Sequence, residues 1–232
     1  MKFSRSEGAW VFFGYLVGFL GLQLIIGTMF GLYYQLKHGV TVPMDVIMQF
    51  GAIVTLITTI IVYVLFVIVL RKRLTVNLRQ IFSNKKLILV IFVGFIIAYC
   101  INIGYGITYN LLGVDGKSEN QELLESLINS FPLLMLIPTA FLVPLIEEIL
   151  FRGVILEFFE KRLGLLMGVL ISSIFFGLMH VTDSASLIFL PIYATLGGLF
   201  AALYIKYDRN ILVPIGVHLL NNLVSVLLIM FI

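Results

Sequence analysis

Charged side chains are scarce in this chain of 232 residues, of which Asp, Glu, Lys and Arg make up only 12%. A soluble domain ordinarily contains about 25% of these residues and about 45–50% apolar ones. Here the apolar share is 61% and the mean hydropathy is +1.12. A chain of this length has too little interior to hide so much apolar surface. The composition excludes a soluble globular domain and a disordered chain, and it predicts an integral membrane protein.

Cysteine is almost absent as well. The single Cys100 lies inside an apolar run, so no intrachain disulfide can form and a disulfide-stapled secreted module is excluded. The formal charge of +3 is small, and the basic residues flank apolar segments instead of forming a basic domain. We therefore expect the lipid bilayer as a partner and no nucleic acid.

Long apolar runs dominate what is present, and about 20 apolar residues suffice for a helix to cross the hydrocarbon core. Seven segments qualify: 9–36, 45–70, 87–112, 132–159, 163–181, 187–205 and 212–232. An eighth is possible, because the stretch 122–159 contains three prolines and is either one long kinked helix or a short helix followed by a span. The sequence predicts an all-α polytopic transmembrane helical bundle, one membrane domain over residues 1–232.

The basic residues indicate the orientation of this bundle. The segment 71–86 contains six Lys and Arg residues and no acid, and further basic pairs follow the fourth and sixth spans. An excess of Lys and Arg marks cytoplasmic loops. We therefore expect a cytoplasmic N-terminus, an uncleaved first span, and a multi-pass protein of a bacterial plasma membrane.

A few polar residues lie inside these predicted spans. An ionisable side chain at the bilayer centre costs at least about 2.5–3.5 kcal/mol, so it requires a partner or a function. Those found here are Glu147, Glu148, Arg152, His180 and His218, with Asn221 and Asn222 as uncharged companions.

The first group reads Glu147-Glu148-Ile-Leu-Phe-Arg152. On a helix, Glu148 and Arg152 are four residues apart and meet on one face, so we expect a neutralising salt bridge. Glu147 is rotated about 100° away and is expected to point to a different surface. A purely structural ion-pair network is the alternative interpretation of Glu148 and Arg152.

The second and third groups are Phe176-Gly-Leu-Met-His180 and His218-Leu-Leu-Asn-Asn222. Each also has a purely structural alternative, namely an interfacial histidine for His180 and an interhelical hydrogen-bonding pair for His218 and Asn222. Their joint occurrence in a chain with three histidines favours function. A carboxylate with an imidazole can activate water, and a second imidazole with an amide can stabilise an oxyanion. Alternatively, Glu147, His180 and His218 could hold a divalent metal such as zinc.

In this order, the three groups resemble the motifs EExxxR, FxxxH and HxxxN of the CaaX-protease and bacteriocin-processing (CPBP, Abi) family of intramembrane proteases. The resemblance covers residues 139–222, which would form the catalytic core. It implies that Glu147 and His180 activate the hydrolytic water and that His218 and Asn222 stabilise the oxyanion. It also implies that Glu148, Arg152 and Phe176 support the site. Both a metal-dependent and a metal-free mechanism are compatible with the family, and we favour the metal-free one because an Asn amide is a poor ligand.

Two questions follow from this resemblance. At 1.5 Å per residue from the cytoplasmic ends of their spans, Glu147 lies roughly 18 Å deep, His180 roughly 25 Å and His218 roughly 9 Å, although one site needs them together.

The function is also open. The resemblance implies an endopeptidase for a prenylated C-terminus, a pheromone or bacteriocin precursor, or an anchored regulator. The alternatives are a non-enzymatic bacteriocin-immunity or scaffold protein of the same fold, and a proton-coupled transporter. The oligomeric state cannot be predicted.

Overall fold

The structure, a computed structural model, describes residues 2–114 and 116–231. These residues form eight helices and no strand. Several of the helices contain π-helical or 3-10 stretches within their length. In chain order they are α1 Arg5–His38, α2 Met44–Ser83, α3 Lys86–Leu111, α4 Glu119–Ser130, α5 Pro132–Leu163, α6 Leu165–Leu178, α7 Ala185–Lys206 and α8 Leu212–Phe231.

Six of these helices are long and apolar enough to cross a membrane, namely α1, α2, α3, α5, α7 and α8. The predicted fifth span corresponds to α6, which has only 14 residues. At 1.5 Å per residue it is about 21 Å long, less than the roughly 30 Å of a hydrocarbon core. The prediction of a polytopic helical bundle is confirmed, and the chain is an integral, multi-pass membrane protein.

One predicted boundary needs correction, and one open alternative is decided in favour of a short helix followed by a span. The basic segment after the second span was expected to be a loop, but α2 continues as a helix of 40 residues to Ser83. The basic residues therefore lie on the last turns of α2, which extend past its apolar run. The stretch 122–159 is not one kinked helix, because α4 ends at Ser130 and the chain turns at Phe131 before α5 begins at Pro132. The predicted end of the last span, Ile232, lies outside the described residues.

Helix α5 lies at the centre of the bundle. Its side chains Ile146, Ile149 and Phe151 are almost wholly buried, whereas α1 exposes large apolar side chains such as Leu24 and Leu36. An apolar outer surface is what a lipid-facing helix requires, since the bilayer core is as apolar as the protein interior. The functional groups of α5 are thus enclosed by its neighbours.

Helix α5 is not a regular α-helix throughout. Pro138 and Pro144 lie within it, and each removes a backbone donor from the helical ladder. The backbone is π-helical over Ile137–Leu142 and again over Ile149–Leu156. Wider turns of this kind occur frequently at functional sites. The second one begins directly after Glu148 and contains Arg152.

The turn between α5 and α6 depends on two glycines. Gly164 has a φ of +86°, which a side chain would strain, and it allows the chain to reverse direction after α5. One turn later, a Cβ at Gly168 would lie 2.9 Å from the carbonyl oxygen of Leu156 and 2.9 Å from the backbone nitrogen of Glu160. Because both neighbours are backbone atoms, α6 can pack this closely on α5 only where residue 168 has no side chain.

We expect Gly168→Ala to lower the thermal stability of the detergent-solubilised protein, with a loss of about 1–3 kcal/mol from overpacking. Gly104→Ala is the matched control, since a Cβ at this position of α3 meets no atom within 4 Å. Thermal unfolding followed by circular dichroism measures both variants. A Gly168→Ala protein as stable as the wild type would show that α5 and α6 do not pack as described.

Candidate active site

A buried ion pair joins two adjacent turns of α5. Arg152 Nε lies 2.8 Å from Glu148 Oε2, and neither side chain has any exposed surface. The salt bridge predicted from the four-residue spacing is therefore present. The guanidinium also donates through Nη1 to the hydroxyl of Ser172 on α6, at 3.1 Å, and that hydroxyl donates to the carbonyl of Phe151, at 2.8 Å. Both charges are thus partnered inside the bundle.

His218 of α8 lies against this ion pair. Its Nδ1 is 3.1 Å from Glu148 Oε1, while its Nε2 is 3.8 Å from Glu147 Oε2. The ring stacks on Phe200 of α7, with centroids 4.8 Å apart. The expectation that Glu147 and Glu148 serve different surfaces is wrong in this respect, because the two carboxylates approach opposite nitrogens of one imidazole.

Glu147 differs from its neighbours in exposure. Its side chain is 13% exposed, whereas those of Glu148 and Arg152 are 0% exposed. The phenol of Tyr15 on α1 lies within electrostatic range of the Glu147 carboxylate. Glu147 is therefore the carboxylate of this group that a molecule from outside the bundle can reach.

His180 lies in the turn that follows α6, and its ring contacts Phe176 and Tyr193. Its Nδ1 is 2.7 Å from the carbonyl oxygen of Phe176 one turn earlier. Its ring stacks on Tyr193 of α7, with centroids 4.6 Å apart and an interplanar angle of 21°. Phe176 lies between the two histidines, 4.6 Å from the ring of His180 and 5.6 Å from that of His218. The imidazole in direct contact with Glu147 is that of His218, at 3.8 Å. The joint role expected for Glu147 and His180 stays a prediction.

Asn222 lies one turn after His218 on α8. Its Nδ2 donates to the carbonyl oxygen of Thr139 on α5, at 3.2 Å. This carbonyl lies five residues before Pro144, whose ring interrupts the helical ladder of α5. The neighbouring Asn221 accepts from Asn102 of α3, at 2.8 Å. The two amides therefore fasten α8 to different helices.

The apparent mismatch in depth between Glu147 and His218 is explained by where α8 begins. Arg209, just before α8, lies 3.6 Å from Glu157 of α5. Glu148 lies nine residues before Glu157, about 13–14 Å along α5, and His218, nine residues after Arg209, lies in the same direction along α8. Counting from span ends was misleading because α5 continues beyond the level at which α8 starts.

Two of the three predicted metal ligands lie close together, with 3.8 Å between Nε2 of His218 and Oε2 of Glu147. The Nδ1 of His180 faces a backbone carbonyl. Within residues 2–114 and 116–231, no group of three or more His, Cys, Asp or Glu side chains is placed to hold a metal ion. A metal bound by Glu147, His180 and His218 stays a prediction.

Sequence reasoning missed four side chains that shape this site, because it started from the ionisable groups and considered only the amides next to them in sequence. Ser172 is completely buried in an apolar helix, and a scan for hydroxyls would have found it. Phe200 and Tyr193 stack on the two histidines, and Asn102 holds the last helix. The aromatic residues carry no comparable signal, since apolar spans are rich in them.

Residues 129–224 match the family model described as "Type II CAAX prenyl endopeptidase Rce1-like". Over this segment the chain is similar to the Rce1-like family. The resemblance inferred from the three motifs is confirmed, and the Rce1-like segment contains Glu147, Glu148, Arg152, Phe176, His180, His218 and Asn222.

Two relatives are similar over longer stretches that include parts outside the Rce1-like segment. One is the "Putative membrane peptidase YdiL" of Bacillus subtilis (strain 168), 36% identical over 130 residues, which are 56% of this chain and 51% of that protein. The other is an "Uncharacterized protein" of Mycoplasma capricolum subsp. capricolum, 29% identical over 158 residues, which are 63% of this chain and 46% of that protein. The chain thus spans about half the length of these relatives. No solved structure matches it.

We expect Arg152→Met to destabilise the protein by about 3–5 kcal/mol, because it leaves the Glu148 carboxylate buried without its counter-ion. The double variant Glu148→Gln/Arg152→Met removes both charges and should recover part of the loss. Arg162→Met, at an exposed position near the end of the same helix, is the control. Thermal unfolding in detergent compares the four proteins, and equal melting temperatures for the two Arg→Met variants would contradict the structural role of the ion pair.

Proposed function

We propose that this protein is an intramembrane endopeptidase that hydrolyses a peptide bond with a water molecule activated by Glu147. The observation that carries the proposal is the geometry around His218. Its Nδ1 is held by the buried Glu148, and its Nε2 faces the partly exposed Glu147 at 3.8 Å. A carboxylate beside an oriented imidazole is a general-base arrangement.

The two nitrogens of His218 have different roles in this proposal. With Nδ1–H donating to Glu148, Nε2 of the neutral ring is an acceptor. A water molecule beside Glu147 and Nε2 can donate one hydrogen to each and direct a lone pair towards a substrate. In this proposal His218, not His180, is the imidazole that assists Glu147.

The reaction then follows in two steps. The water oxygen bonds to the carbonyl carbon of the substrate while Glu147 takes the released proton. The C–N bond then breaks, and Glu147 returns the proton to the leaving amine, which yields a free carboxylate and a free amine. Glu148 and Arg152 do not touch the substrate in this scheme, and they act by fixing the orientation of His218.

We assign stabilisation of the oxyanion to Asn222. The Asn222 amide donates one N–H to Thr139, and an amide nitrogen has a second to offer. A preorganised donor of this kind is worth roughly two to three powers of ten in rate at an oxyanion. His180 is left out of this role because Nδ1–H donates to the Phe176 carbonyl, which makes Nε2 of the neutral ring an acceptor.

The proposed substrate is a membrane-associated peptide or protein, since a site enclosed by spanning helices is reached from the bilayer. A prenylated C-terminus, a pheromone or bacteriocin precursor and an anchored regulator are the candidate classes. The family description supports the first class. We further propose that the basic ends of the helices face the cytoplasm.

We expect Glu147→Gln to abolish cleavage, with a loss of at least about 10²–10⁴-fold, because the amide cannot accept the proton from water. The purified protein is reconstituted into liposomes with a bacterial membrane-protein extract and a farnesylated C-terminal peptide, and new N-termini are identified by mass spectrometry. Glu122→Gln, which removes an exposed carboxylate from α4, is the matched control.

Products that form with wild-type and Glu122→Gln protein and disappear with Glu147→Gln support the proposal. Cleavage of the farnesylated peptide alone would assign the prenylated class. The proposal is wrong if folded wild-type protein yields no new N-terminus, or if Glu147→Gln protein yields the same products.

We also expect cleavage to persist after treatment with 1,10-phenanthroline and EDTA, because the Asn222 amide, one turn from His218, is a poor metal ligand and is placed as a hydrogen-bond donor. Zinc content is measured by mass spectrometry of the purified protein before and after chelation. Activity that falls with zinc content and returns on adding zinc would overturn the metal-free mechanism.

A further inference from the structure

A large apolar groove lies between α1, α5 and α6, and Tyr15 is among the residues that line it on the side of the candidate active site. Its volume is about 1080 Å³. Side chains such as Phe12, Leu16, Val154 and Phe175 form its walls. The four predicted catalytic residues, Glu147, His180, His218 and Asn222, are not among the described residues that line it. The groove therefore has room for a molecule besides the water and the peptide of the reaction.

Three cations line the groove at one end, namely Arg5 of α1 and Lys161 and Arg162 of α5. They are brought together because the beginning of α1 is tied to the last turns of α5. Lys2 Nζ lies 3.0 Å from Glu160, and the backbone N–H of Phe3 donates to Glu157. One end of an otherwise apolar groove is thus strongly basic.

These cations are not neutralised by the acids beside them. Glu157, which also lines the groove, accepts from the Phe3 N–H and from the Tyr204 hydroxyl and lies 3.6 Å from Arg209. Glu160 is paired with Lys2 and Arg209, and Glu7 with Arg73.

The side chains of Arg5 and Lys161 contact no acid within the described part of the chain. Arg162 caps the carbonyl of Phe158 and lies over its ring. The rim therefore carries about three positive charges without a protein counter-ion.

The length of the groove corresponds to one leaflet of the bilayer. Along α1 it extends from Arg5 to Leu20, which is about 22 Å. Half of a hydrocarbon core is about 15 Å, and the remainder reaches into the headgroup region. A molecule that fills it needs an apolar body of one leaflet's length and an anionic end at the basic rim.

We propose that this groove binds an anionic phospholipid, with acyl chains along α1 and α5 and the phosphate at Arg5, Lys161 and Arg162. Basic pockets between transmembrane helices bind the headgroups of anionic lipids for the same electrostatic reason. The proposal goes beyond the peptidase reaction and does not depend on it, because the rim cations lie outside the candidate active site.

Native mass spectrometry of the detergent-solubilised protein tests this site by titration with dioleoylphosphatidylglycerol, dioleoylphosphatidylcholine or inorganic phosphate. The variant Arg5→Gln/Lys161→Gln/Arg162→Gln removes the rim. Arg71→Gln/Lys72→Gln/Arg79→Gln removes the same charge from exposed positions of α2 that do not line the groove.

A second pair of variants tests the apolar part. Gly8→Leu fills the groove, and Gly27→Leu adds the same side chain elsewhere on α1; a Cβ at either glycine meets no atom within 4 Å. Size-exclusion chromatography verifies that each variant is folded.

Each cation near a membrane surface contributes about fivefold in affinity, so we expect the rim variant to bind phosphatidylglycerol roughly a hundredfold more weakly. The α2 variant and Gly27→Leu should bind within about twofold of wild type, and Gly8→Leu should bind more weakly. Wild-type protein should prefer phosphatidylglycerol to phosphatidylcholine. Equal binding by the rim and α2 variants, or equal binding of the two lipids, would overturn the proposal. Inorganic phosphate that displaces the lipid, with Gly8→Leu unaffected, would indicate a phosphate site and also overturn it.

Discussion

The buried contact between Glu148 and Arg152 is the constraint on which the rest of the site depends. Each charge that is removed from water loses several kcal/mol of solvation free energy. This loss is offset only when the two charges are close together and their remaining hydrogen-bonding groups also have partners. Arg152 reaches Glu148 at 2.8 Å and Ser172 at 3.1 Å, so α5 and α6 are fixed to each other by the same guanidinium. Glu148 in turn fixes His218 of α8 at 3.1 Å. One ion pair thereby sets the relative positions of three helices.

This constraint gives the adjacent carboxylates of Glu147 and Glu148 different surroundings. Glu148 is wholly buried and has both oxygens occupied by Arg152 and His218, so it has no capacity left for a substrate. Glu147 faces only Nε2 of His218 among these groups, at the longer distance of 3.8 Å, and part of its side chain stays accessible. Two residues of the same type, next to each other in sequence, therefore differ in role because of which neighbours the helix presents to each.

Much of this architecture could be predicted from the residues alone, and the parts that could not have a common cause. Apolar runs predicted the spans, and the four-residue spacing predicted the Glu148–Arg152 pair, because both depend on one helix at a time. The partner of Glu147 depends instead on how far α8 is shifted along α5. That shift is set by Arg209 and by Asn210, whose amide donates to the carbonyl of Asn77 on α2, more than 100 residues earlier. No local spacing encodes such a contact.

The short helix α6 has a consequence for the membrane itself. A bundle with one element about 9 Å shorter than the hydrocarbon core does not present a uniform thickness to its surroundings. Lipids beside a short apolar segment thin locally, so the headgroup region and its water come closer to the midplane there. His180 lies in the turn at the end of α6, where this dimple would form. Because α6 is too short to span the bilayer, water would come closer to His180 there than the bilayer core otherwise allows. This water would be available to the hydrolysis proposed above.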